Sequence, residues 1–76
     1  MNPVTVYTRA LCPYCTRALA LLKRKGATIQ EIDATFDTSK RDEMIRRSGR
    51  RTFPQIFVGE THVGGCDDLH DLDARG

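Results

Sequence analysis

From Thr8 to Gly26 the chain reads TRALCPYCTRALALLKRKG, and the fold follows from how this stretch is read. Pro13 suits a first helical position, where its missing N–H costs nothing. Ala18, Leu19, Leu21 and Leu22 recur on one face, and Gly26 follows the basic turn Lys23-Arg24-Lys25 as a stop signal. The spacing therefore predicts a helix over Pro13–Lys25. Before it, Val4 and Val6 alternate with Thr5 and Tyr7, the pattern of a short strand; Tyr7 belongs to the core on that pattern. After it, ATIQEID over residues 27–33 reads as a second strand. Strand, helix and strand joined by short links make a βαβ unit with parallel strands and a right-handed crossover.

Beyond that unit the pattern changes. TSKRDEMIRRSG, over residues 38–49, reads as a helix with a Ser39-x-x-Asp42 capping pattern at its start and Gly49 at its end. PQIFV, Gly59-Glu60 and THVG form a predicted hairpin, because glycine at the first central position suits a type II′ turn. Leu69 and Leu72 mark a short last helix beginning near Cys66. The order βαβ then αββα predicts an α/β domain over residues 1–76, a four-stranded mixed sheet with three helices: the thioredoxin-like fold.

Composition narrows the classes of function. A chain of 76 residues lies near the lower limit for burying a core unaided, so a disulfide or metal staple is a natural first expectation for three cysteines. An odd number fits a disulfide framework poorly. The opening MNPVTVYT runs into a strand pattern rather than a basic, apolar leader, and no stretch approaches a membrane span, so a cytoplasmic protein with reduced thiols and no membrane partner is expected. The net charge of +2 is unevenly placed. Lys40, Arg41, Arg46, Arg47, Arg50 and Arg51 cluster together, while Asp67, Asp68, Asp71 and Asp73 gather in the tail. No aromatic residues interleave the arginines, so nucleic acid is not expected; a small anionic partner suits them better.

The Cys12-Pro13-Tyr14-Cys15 pair opens the first helix. Cys12 falls at the strand-to-helix junction, beside unpaired N–H groups and the positive end of the helix dipole, where a thiolate is stabilised. Cys15 lies one turn further on the same side, within disulfide reach but less exposed. Cys12 is thus the expected nucleophile and Cys15 the resolving thiol, with Arg9 adding positive charge nearby. A Cys₃His zinc set of Cys12, Cys15, Cys66 and either His62 or His70 is the rival reading. Zinc pairs sit on tight knuckles rather than opening a helix, and Cys66 has no second cysteine beside it; no metal is expected.

YTRALCPYCTRA, RTFPQIFV and GGCDDL, taken together in this order, resemble the glutaredoxins, most closely the small bacterial dithiol type, from about Val4 to Gly76. The resemblance implies that Cys12 attacks and Cys15 resolves. It implies that Thr52 and Phe53 precede an active-site proline, Pro54, in the cis form, leaving the Phe53 N–H and C=O facing Cys12 to pair with a bound peptide. Glutathione is such a peptide. Its γ-glutamyl carboxylate suits the N–H groups of Cys66 and Asp67, its ammonium the Asp67 side chain, and its glycyl carboxylate Arg9 or Arg51. Gly64 and Gly65 allow close approach, and Tyr14 packs alongside. Arg9 stands where many members carry lysine, and Phe53 where valine is common.

The resemblance further implies a glutathione-dependent reductase of protein disulfides and glutathionylated proteins, acting as a monomer with no tightly bound cofactor. Glutathione, restored by glutathione reductase and NADPH, is its co-substrate. Two alternatives share the Cys-x-x-Cys pair: an electron donor reduced by thioredoxin reductase, and a glutathione-ligated iron–sulfur carrier. GGCDD and Thr52 favour glutathione over the first, and a nearby resolving thiol opposes the second.

Overall fold

The computed structural model describes residues 3–75. In chain order the elements are β1 (Val4–Thr8), α1 (Pro13–Arg24), β2 (Ile29–Asp33), α2 (Thr38–Ser48), β3 (Gln55–Val58), β4 (Thr61–Gly64) and α3 (Cys66–Ala74). The sheet runs β2-β1-β3-β4, with β1 parallel to β2 and antiparallel to β3, and β3 antiparallel to β4. This is the thioredoxin-like arrangement that the element order implied.

The residues explain the layers. Alternation on β1 sends Val4 and Val6 to one face, where they meet Ala18, Leu21 and Leu22 of α1, Ile56 of β3, and Cys66 and Leu69 of α3. Tyr7 points to the other face and packs with Met44 of α2 and Phe57 of β3. Tyr7, Met44 and Ile56 are fully buried, each such side chain contributing about 1.5–3 kcal/mol of apolar transfer. Both faces of the sheet are therefore covered, α1 and α3 on one and α2 on the other.

Boundaries moved where hydrogen bonds, not composition, set them. Helix α1 stops at Arg24, one residue earlier than the pattern predicts, and Lys25 is its C-cap. Strand β2 starts at Ile29 because the Ala27 N–H turns back to Leu22 O at 3.1 Å. The cap of α2 is Asp37 rather than Ser39: Asp37 has extended backbone and its carboxylate accepts the Lys40 N–H at 3.1 Å. Ser39 is already helical, and its hydroxyl donates to the same carboxylate at 2.7 Å. At the hairpin, Val58 pairs with Thr61 across Gly59-Glu60. Gly59 has φ 59 and Glu60 is not left-handed, which is the type II′ pattern.

Candidate active site

The β1–α1 loop turns through Leu11, a fully exposed non-glycine residue with φ 56, and delivers Cys12 to the N-cap of α1. The Cys12 sulfur takes the place of a capping oxygen and accepts the Cys15 N–H at 3.3 Å. On its other side the Cys12 thiol points at the Phe53 carbonyl oxygen, 3.9 Å away. The Phe53–Pro54 bond is cis, as the resemblance implied. Cys12, Cys15 and Cys66 are all free and buried.

The two thiols of the pair differ sharply. Burial, then the hydrogen bond with Cys12, pushes the Cys15 thiol up to about 12. Cys15 therefore stays protonated across neutral pH, while the Cys12 sulfur keeps the helix N–H as a partner. Alkylation with iodoacetamide at neutral pH should accordingly label Cys12 and spare Cys15. Peptide mapping checks this, and prior labelling of Cys15 would reverse the assigned roles.

Two adjoining cavities hold most of the residues singled out above. The first, 230 Å³, is walled by Tyr14, Thr52, Phe53, Pro54, Gly65, Cys66 and Asp67, together with Arg50 and Asp68. The second, 540 Å³, shares Tyr14, Thr52 and Phe53 and adds Arg9, Arg41, Ile45 and Arg51. Arg9 and Arg51, the two candidate cations, thus face one space. The guanidinium carbons of Arg9 and Arg41 lie 5.9 Å and 5.8 Å from the centre of the Phe53 ring, a cation–π pairing on both. Cys12 lines a third hollow with Leu11, Pro13 and Thr16, and reaches the groove through the Phe53 carbonyl.

At the other end of the groove α3 begins with a capping arrangement. The Asp68 carboxylate accepts the Gly65 N–H at 2.9 Å and the Arg50 guanidinium at 3.1 Å, and these bonds hold its carboxyl below the usual range. Asp67 is exposed and makes no ion pair among the described residues. Burial pushes the Cys66 thiol up. His62, weighed above as a zinc ligand, is bonded to Gln55 at 2.8 Å instead.

Sequence reasoning did not single out Arg41, Arg50 or Asp68 as groove residues, nor Gln55 as a buried partner of Thr52. Gly65-x-x-Asp68 has the spacing of a capping box and was available as a signal. Arg41 and Arg50 read only as members of a basic cluster suited to a small anionic partner, with no place in a groove, and nothing local marked Gln55.

A sulfur seated as a helix cap, with a second thiol held protonated one turn away, can take part in disulfide exchange and then resolve it internally. On this sheet, that chemistry defines the thiol–disulfide oxidoreductases. The glutaredoxin family model matches residues 4–63. Glutaredoxin 3 of Escherichia coli strain K12 is 57% identical over 76 residues, covering 100% of this chain and 92% of that protein. The solution structure of glutaredoxin from Brucella melitensis superposes with a TM-score of 0.86 at 60% identity, over 100% of this chain and 83% of that one. A crystal structure of a buckwheat glutaredoxin–glutathione complex superposes with a TM-score of 0.88 at 31% identity, over 99% of this chain and 71% of that one. The chain belongs to the glutaredoxin family.

Proposed function

We propose that this protein is a glutathione-dependent reductase of protein disulfides and glutathionylated proteins, a single domain working as a monomer in the cytoplasm. One juxtaposition carries the reading: Tyr14, Thr52, Phe53, Pro54, Gly65, Cys66 and Asp67 wall a single cavity whose Phe53 carbonyl lies 3.9 Å from the Cys12 sulfur. The buckwheat relative, solved with glutathione, supports the same ligand here. In this reading the Cys12 thiolate attacks the glutathione sulfur of a mixed disulfide and expels the substrate thiolate. A second glutathione thiolate attacks the glutathione sulfur held on Cys12, and oxidised glutathione leaves. With a protein disulfide, Cys15 attacks the Cys12 sulfur, releases the reduced protein and leaves a Cys12–Cys15 disulfide, which two glutathione molecules reduce.

Turnover of a small glutathione mixed disulfide, coupled to glutathione reductase and NADPH, tests this directly. Absence of turnover with glutathione, alongside turnover with thioredoxin reductase, would favour the donor alternative. Asp67→Asn tests the groove. An ammonium group remote from the sulfur binds ground state and transition state alike, so the apparent KM for glutathione should rise with kcat nearly unchanged. A partly exposed charge-assisted hydrogen bond sets the expected rise at about tenfold. An unchanged KM removes Asp67 from the site.

A further inference from the structure

Gln55, the first residue of β3, is 0% exposed and lies opposite Tyr7 of β1. An amide buried there is tolerated only if its donors and acceptor are all engaged. They are. Its Nε2 donates to the Thr52 carbonyl oxygen and to Thr52 Oγ1, both at 3.0 Å, and its Oε1 meets His62 Nε2 at 2.8 Å. The Thr52 carbonyl can only accept, so the nitrogen end of the amide must face Thr52 and the oxygen end must face His62. His62 Nε2 must then carry the ring proton. The ring itself is seated on Phe57, with centroids 4.9 Å apart and planes at 33°. Burial, and then the Arg50 charge, hold His62 below its ordinary range against the opposing pull of Asp68, so near neutral pH the ring has one proton to place.

We propose that Gln55 and His62 are positioning residues for the groove, forming a relay from His62 through the Gln55 amide to Thr52; the proposal rests on reading that groove as the glutathione site. Thr52 is an exposed loop residue on the walls of both cavities. The relay anchors its peptide to the buried face of the sheet. It also occupies Thr52 Oγ1 as an acceptor, which leaves the hydroxyl's own proton for a partner in the groove. Neither residue reaches the thiols, so the relay acts on ligand binding and not on sulfur exchange.

Two variants separate this role from simple packing. His62→Phe keeps the ring on Phe57 and deletes the donor; His62→Gln restores an N–H at the same reach. With the mixed disulfide of cysteine and glutathione as substrate, His62→Phe should raise the KM for glutathione about fivefold, the worth of one weakened hydrogen bond, with kcat within about twofold. His62→Gln should return KM close to wild type. Nitrogen-edited NMR of the wild-type imidazole at neutral pH should show the Nε2–H tautomer. Unchanged KM in His62→Phe, equal KM losses in both variants, a parallel fall in kcat, or an Nδ1–H ring would each overturn the relay. Should His62→Phe fail to fold, the tautomer decides alone. A wild-type protein without saturable glutathione turnover overturns the groove reading instead, and the tautomer still reports on the relay.

Discussion

Cys12→Ser should abolish both proposed activities, removal of glutathione from a mixed disulfide and reduction of a protein disulfide, by at least about a thousandfold. Serine is itself a good N-cap, so its oxygen can replace the Cys12 sulfur as acceptor of the Cys15 N–H and α1 should keep its start. The loss is therefore one of chemistry: a hydroxyl at neutral pH neither attacks nor leaves a disulfide as a thiolate does. Cys15→Ser should behave differently. Its N–H remains to cap the Cys12 sulfur, external glutathione can resolve the mixed disulfide, and removal of glutathione should continue at a comparable rate. Reduction of a protein disulfide should collapse, because the trapped intermediate lacks its internal thiol. The two assays run side by side on each variant, with thermal melts as a control for folding, decide the matter. Equal losses in both assays for Cys15→Ser would contradict the division of labour.

How far the sequence carries can be judged residue by residue. Local signals were sufficient where the physics is local. Alternation at Val4 and Val6, the apolar stripe of α1, and glycines at the ends of helices each need only their neighbours to act. Tyr7 was readable as core for the same reason, although its hydroxyl bond to Glu43 on α2 was not. Ser39 failed as a cap because an aspartate two residues earlier offered a stronger acceptor with extended backbone. Gln55 was invisible because its burial is imposed by Tyr7 and by its bonds to Thr52 and His62, none of which sequence distance reveals. Arg41 and Arg50 belonged to a basic cluster suited to a small anion, but only the packing of α2 and its exit loop against the groove makes these two its wall residues. The cis form of Pro54 had no local signature and came from family resemblance alone.

The second large effect is expected at Gly64, where the close of β4 meets the start of α3. Gly64 has φ 121, a conformation that L side chains rarely adopt. A Cβ built there would run into Asp68 Oδ2 and lie 2.9 Å from Asp68 Cβ, so a rotation of the carboxylate cannot clear it. Asp68 must move as a whole, and with it go the bond from the Gly65 N–H and the pair with Arg50. Backbone strain and the lost cap together place the cost of Gly64→Ala at about 3 kcal/mol. For a domain of this size that lowers the melting temperature by about 15 °C. Gly65 is the control. Its backbone is extended, and an added Cβ would meet only Pro54 O at 3.5 Å and Asp68 Oδ2 at 4.0 Å, ordinary contacts. Gly65→Ala should therefore shift the melt by only a few degrees. Because the Gly65–Asp68 bond sets where α3 begins, Gly64→Ala should also weaken the proposed glutathione binding below its new melting point, while alkylation of Cys12 proceeds as in wild type. Equal melts for the two alanine variants would show that the Gly64 conformation carries no strain and that Asp68 yields freely.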